Sequence, residues 1–176
     1  MHAVMKLAIP VLAAAMMWAA PQEAAAQQPC PVRLGGVLSL TGSMGPIGRF
    51  IGETAQLAVE HVNQAGGVQG CQIEFLLRDD QNQPSVGVDA AKNLVEVSRV
   101  PALIGSISSG VSLPILTSVA VPGRVTMVSC CSTAPTFTTL AQQGQSQGYW
   151  FRTLPTGLIQ AVSAAKITTD RGWRRT

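Results

Sequence analysis

PALIGSISSGVSLPIL, residues 101–116, carries three signals in a fixed order. Ala102-Leu103-Ile104 is a short apolar run suited to a buried strand, Gly105 to Gly110 is a turn of small hydroxylated residues, and a helix starts near Val111. Serine hydroxyls and free backbone N–H groups converge where that helix begins, and the helix dipole favours an anion there. No side chain in the stretch is charged. The turn is built to hold a ligand rather than to react with one.

The same strand–turn–helix pattern recurs on either side. Residues 32–40 (VRLGGVLSL) form a β-rich apolar run, and a glycine-studded loop follows from Thr41 to Gly48. Ile51, Ala55, Ala58, Val59 and Val62 then recur at helical spacing, with Glu53 and Glu60 off the stripe. Gly66-Gly67 stops that helix. A second strand is predicted over 73–77, ending in Arg78-Asp79-Asp80-Gln81-Asn82, and Pro84-Ser85 opens a second helix with Val88, Ala91, Leu94 and Val95 on its apolar face.

A third helix is predicted over 113–121, with Pro114 in its first turn, where proline is tolerated. Pro122-Gly123 breaks it, and 125–128 reads as a fourth strand. A polar stretch runs up to Gly148, an aromatic Tyr149-Trp150-Phe151 follows, and 157–169 reads as a last helix with Ile159, Val162, Ala165 and Ile167 apolar. Strands alternating with helices imply an α/β fold with a doubly wound, mainly parallel sheet.

Residues 1–26 read as a secretory signal peptide: His2 and Lys6 at the start, an apolar run from Leu7 to Ala20, and small residues before a cut ahead of Gln27. The run is too short for a membrane span and Pro10 interrupts it. Cys30 lacks the small apolar residues that precede a lipid-modified cysteine, so a soluble exported protein with no stable membrane insertion is expected. Residues 27–176 are long enough for one α/β lobe burying roughly 70% of its unfolded surface. The net charge is +3, and loss of Lys6 and Glu23 leaves it unchanged. The excess lies in Arg171, Arg174 and Arg175, a solvated tail, and no basic stripe interleaves with aromatics, so nucleic acid is not an expected partner.

Four cysteines in an exported chain point to disulfides. Cys30 and Cys71 each stand two residues before the first apolar residue of a strand, Val32 and Ile73. If those strands are parallel neighbours in register, the two cysteines start about 5 Å apart, within bridging range. Cys130 and Cys131 are adjacent: a bond between them closes a strained small ring, and two buried thiols are the alternative. With neither a CxxC nor a histidine cluster, no metal and no cofactor are expected. His61 reads as a surface residue of the first helix.

Gly42, Gly45 and Gly48 are spaced G-x-x-G-x-x-G, which is not the dinucleotide fingerprint, and no GK[ST] occurs. Ser106-Ile107-Ser108-Ser109-Gly110 misses the nucleophile elbow by its first residue, and His61 stands on no strand end, so a hydrolase reading has little support. Asp79 and Asp80 are read as carboxylates that bind loop N–H groups and cap the next helix, in preference to an acid–base pair. The turns after strands one, three and four are rich in Ser, Thr and Gly and lack acids and bases. They form a binding cleft at the carboxyl edge of the sheet, and no enzyme is expected.

Several motifs in order, LGGVLSLTGSMGPIGRFIGETAQLAVEHVNQAGGVQG over 34–70, DDQNQP after strand two, LIGSISSGVSLPI around strand three and SCCSTAPTFT over 129–138, resemble the type I solute-binding proteins of branched-chain amino acid ABC transporters. The resemblance covers residues 32 to 173. It implies two α/β lobes that close around an amino acid or a related small carboxylate or amide, and an ABC permease as partner of the full-length protein. It implies that Ser109, with N–H groups beginning at Gly110, binds the ligand carboxylate. The Cys131 carbonyl and Thr133 hydroxyl, with Ser132 in the same turn, would receive its ammonium and carboxylate, and the loop from Thr41 to Ile47 would line the side-chain pocket. Cys130 replaces the proline usual in the turn after strand four, and Ile47 stands where some members carry an aromatic residue. Asp170 to Thr176 reads as a helix exit that should feed another strand. The chain is therefore expected to be the amino-terminal lobe of a longer protein, truncated before the second lobe, unless the fold closes without it. A ligand-sensing module of a signalling system and a non-functional fragment are the alternatives to transport.

Overall fold

The structure, a computed structural model, describes residues 30–173. The expected signal peptide over 1–26, and Arg174 and Arg175 of the basic tail, lie outside the described residues. Five strands form one parallel sheet: β1 (Val32–Leu38), β2 (Ile73–Asp79), β3 (Ala102–Gly105), β4 (Thr126–Ser129) and β5 (Trp150–Arg152), in the order β2-β1-β3-β4-β5. The order reverses between β1 and β3, because the chain first steps outward to β2 and then returns past β1. That reversal splays the following connections apart and opens a crevice at the carboxyl ends of β1 and β3.

The connections are helical: α1 (Gly45–Gln64), α2 (Pro84–Lys92), α3 (Ser109–Ile115), α4 (Val121–Gly123), α5 (Thr136–Gln142) and α6 (Gly157–Asp170). α2 runs on into a π-type turn over Asn93–Val97, and α3 reaches α4 through another over Leu116–Ala120. Val37, Leu103, Met127 and Trp150 from the sheet pack with Ala91, Leu94, Val111, Ile115, Leu116, Val119, Ala120 and Phe137 from the helices as the core. Each large side chain removed from water contributes about 1.5–3 kcal/mol. Phe137 stacks on Trp150 with ring centroids 4.0 Å apart, which ties α5 to the short edge strand β5.

The structure differs from the sequence reading at several elements. Glycines, rather than the aliphatic stripe, seat α1 on the sheet: Gly45, Gly48 and Gly52 are buried, whereas Ala58 and Val62 are exposed. A Cβ at Gly48 would lie 1.8 Å from the Ser39 carbonyl oxygen, so only glycine permits this approach. The third helix starts at Ser109, which moves Pro114 from the first turn into the helix interior, just ahead of the π-type turn. α5 and β5 replace the polar stretch and the lone aromatic run. β5 is three residues long, too short for a period to show.

β1 and β2 pair in register from Val32 opposite Ile73 to Leu38 opposite Asp79. This register sets the Cys30 and Cys71 Cα atoms 5.2 Å apart, and a disulfide joins them. α6 has no buried residue among those described, and Leu158, Ile159, Val162 and Ile167 are each more than half exposed. No helix of the described residues is long and apolar enough to cross a membrane.

Candidate functional site

Beneath the carboxyl edge of the sheet lies a layer of polar side chains fully shut from water: Ser39, Asp80, Ser106, Ser112, Ser129 and Ser132. Burying this many polar groups costs heavily unless each finds a partner. Ser39 Oγ donates to Asp80 Oδ1 at 2.6 Å and Ser106 Oγ to Asp80 Oδ2 at 2.5 Å, while the Asn82 N–H donates to Oδ1 at 2.8 Å. The Ser106 N–H donates to Ser112 Oγ, and the Ser106 carbonyl accepts from Ser112 Oγ and Ser129 Oγ. Ser132 Oγ lies 2.7 Å from Ser112 Oγ and 3.1 Å from the Ser106 oxygen. The ends of β1, β2, β3 and β4 are thus laced together below the turns that face outward.

Asp79 performs the matching task at the rim. Its carboxylate accepts from the Leu40 and Thr41 N–H groups, from Thr41 Oγ1 at 2.5 Å and from the Gln81 N–H. Partial burial pushes its pKa up, but the bonds from Thr41, Gln81 and Leu40 outweigh that and hold it below its ordinary value. With its acceptor sites taken and its proton off, Asp79 is a structural anchor and a poor general base. Gln81 and Asn82 both take left-handed backbone angles, stabilised because each preceding aspartate accepts the N–H two residues on.

The structure places the expected ligand residues as follows. Ser109 begins α3 and its hydroxyl accepts the Ala134 N–H at 3.2 Å, which brings the turns after β3 and β4 side by side. Gly110 is exposed, and a side chain there would meet only Ser108 Oγ, at 3.6 Å, so its backbone is open to approach. The first N–H groups of α3 have no partner within the helix. Thr133 is half-buried beside them, and its carbonyl accepts the Gly157 N–H at the start of α6. Thr41 is exposed on the first loop with its hydroxyl committed to Asp79, whereas Ile47, expected on that loop, is exposed in the first turn of α1. Ser132 departs from expectation: its hydroxyl is buried and bonded inward, so it supports the turn and does not offer its side chain to a ligand.

Cys130 and Cys131 stand as thiols, both half-buried, with their sulfurs 2.7 Å apart. Burial, together with the hydrogen bond and charge of the adjacent Cys131, pushes the Cys130 thiol up to about 12. Sequence reasoning missed Arg152, whose Nη1 donates to the Ala134 oxygen at 3.1 Å and whose Nη2 donates to Thr138 Oγ1 at 2.6 Å. A lone arginine in an aromatic run gives no hint that it will clamp a turn on the neighbouring strand. The buried role of Ser106 and Ser112 was equally hidden, since serines in a turn look alike in sequence whether they face in or out. Among the described residues no group of three or more His, Cys, Asp or Glu is placed to hold a metal ion. Two concave surfaces, of about 300 Å³ around Arg33 and Arg99 and about 480 Å³ between α1 and β2, lie away from the turns after β3 and β4, and the second includes Leu40 of the turn after β1.

Comparison with known proteins adds a family. The profile described as "Periplasmic binding protein" matches residues 31–176. A chemotactic signal transduction system substrate-binding protein, BasB, of Halobacterium salinarum is 33% identical over 80% of this chain and 34% of its own length. The leucine-, isoleucine-, valine-, threonine- and alanine-binding protein of Pseudomonas aeruginosa is 31% identical over 75% of this chain and 34% of its own. Among solved structures, the branched-chain amino acid transporter substrate-binding protein LivJ of Streptococcus pneumoniae, in complex with isoleucine, superposes with a TM-score of 0.65 at 29% identity, over 71% of this chain and 34% of that one. The chain spans about a third of the length of these relatives.

Proposed function

The chain belongs to the periplasmic binding protein family, and from that premise we propose that it is the amino-terminal lobe of an exported solute-binding protein that delivers an amino acid, or a related small carboxylate or amide, to an ABC permease. The observation that carries the reading is the Ser109 hydroxyl bonded to the Ala134 N–H. This contact sets Ser109, the Gly110 backbone and Thr133 on one rim at the sheet's switch point, uncharged and rich in donors. In this reading Ser109 and the first N–H groups of α3 take the ligand carboxylate, with the Thr133 hydroxyl beside them. The Cys131 carbonyl accepts from the ammonium, and Thr41 and Ile47 border the ligand side chain. Ser132 contributes its buried bonds only. In the same reading the chain comprises a leader over 1–26 and the amino-terminal lobe over 27–176.

One lobe supplies part of the contacts and leaves them in water, where charge-assisted bonds are weak. Leucine, isoleucine and valine titrated into the chain are therefore expected to bind in the millimolar range and to shift the amide resonances of Ser109, Gly110 and Thr133. Ser109→Ala is expected to abolish those shifts. A panel of amino acids and small carboxylates that leaves these amides unmoved would sink the site assignment.

A second reading, a ligand-sensing module that passes a signal to a receptor, is favoured by the likeness to the chemotactic protein BasB. Adjacent genes for a permease and an ATPase support transport, and an adjacent receptor or kinase supports sensing.

A further inference from the structure

We propose that Cys130 and Cys131 are the reduced form of a vicinal disulfide, and that the turn after β4 is a thiol–disulfide modification site. Three observations converge on it. The two sulfurs are already in contact, 2.7 Å apart. The backbone on both sides is fixed: Ser129 Oγ, itself buried, accepts the Cys131 and Ser132 N–H groups at 3.2 and 3.0 Å, and Arg152 reaches the Ala134 oxygen from the neighbouring strand. Holding two thiols in one geometry raises their effective concentration and favours intramolecular closure. The same chain carries a Cys30–Cys71 disulfide, the mark of a compartment in which thiols are oxidised.

The oxidant is a disulfide, either a small one such as oxidised glutathione or the disulfide of a thiol oxidase. One cysteine thiolate attacks a sulfur of that disulfide and forms a mixed disulfide, releasing the first thiol. The second cysteine then attacks the protein sulfur, expels the other half of the oxidant as a thiol and closes the ring. Two protein thiols lose two electrons and two protons, and one disulfide becomes two thiols. Both thiols are half-buried and their sulfurs adjoin, so either cysteine makes the first attack and the other resolves the mixed disulfide. Adjacent Cα atoms lie about 3.8 Å apart, below the usual range for a bridge, so the bond closes under strain and is more easily reduced. Cys30 and Cys71, at 5.2 Å, lie inside that range. The two bridges therefore answer to different redox conditions. The proposal stands whether or not the turn holds a ligand.

The test is a redox titration of the chain in mixtures of oxidised and reduced glutathione, quenched in acid, alkylated with iodoacetamide and read by peptide mass. In the oxidising mixtures the peptide carrying Cys130 and Cys131 is expected to be unalkylated and lighter by two hydrogens than the dithiol. It should become doubly alkylated in mixtures that still leave Cys30–Cys71 closed. Double alkylation at every ratio, or a stable glutathione adduct as the end point, overturns the proposal. Cys130→Ser leaves Cys131 without a resolving partner, Cys131→Ser does the same for Cys130, and at least one of the two variants is expected to trap glutathione on its remaining thiol. Absence of an adduct in both variants overturns the proposal.

Discussion

Ser106 donates its hydroxyl to Asp80 Oδ2 over 2.5 Å, although β1 stands between β2 and β3, the strands that end one residue before Asp80 and Ser106. Asp80 bridges the gap because Ser39, at the end of β1, donates to its other oxygen. One buried carboxyl therefore fixes the relative height of three strand ends, and with them the turns on the rim.

Removing that acceptor leaves two buried hydroxyls and the Asn82 N–H without it. Asp80→Ala is expected to lower unfolding free energy by roughly 3 kcal/mol, measured by urea titration. Asp80→Asn, which keeps the shape and an acceptor oxygen, is expected to lose less. Equal loss in both variants would mean that the cavity, and not the bonds, dominates.

The glycine seam of α1 gives a sharper contrast. Gly48→Ala drives a methyl group against the Ser39 carbonyl and is expected to cost about 2 kcal/mol or more. Gly110→Ala meets no backbone and is expected to leave stability within about 0.5 kcal/mol of wild type. Thermal melts of the two variants side by side check this.

Asp79 makes stability depend on pH. Its folded pKa lies below its unfolded value, so the folded state is favoured above the unfolded value and that contribution is lost as pH falls through the folded one. Thr41→Val removes one of the bonds that lowers it. The variant is expected to lose stability at neutral pH and to show a shallower acid slope, read from unfolding free energies measured from neutral pH down to the acid transition.

The Cys30–Cys71 bridge closes a loop with a sequence separation of 41. In the chain-entropy account a loop of that length contributes about 4 kcal/mol through the unfolded state. Cys30→Ser with Cys71→Ser is expected to approach that loss, with β1 and β2 still paired. An unchanged denaturation midpoint would contradict it.

Some of this was legible in the residues. Alternating apolar runs and helical stripes gave four of the strands, and the offset of Cys30 and Cys71 from Val32 and Ile73 agreed with their register. β5 was missed because three residues carry no period. α1 was misread in detail because a stripe of glycines is invisible to a search for apolar side chains. At the rim, the hydroxylated turn from Ser106 to Gly110 could be read from its place at a helix start, and the family resemblance singled out Ser109 within it, whereas only the bonds of Ser132 revealed that its hydroxyl faces inward.

The sequence alone determined the α/β class, the parallel order of units and the uncharged, hydroxyl-rich chemistry of the turns, because periodicity and composition are local properties of the chain. Tertiary structure decided which hydroxyls are spent on the fold and which remain on the rim of the turn between Ser106 and Gly110. That choice depends on partners brought from Asp80, Ser129, Ala134 and Arg152, residues distant in the chain, and a buried hydroxyl is tolerated only where such partners arrive.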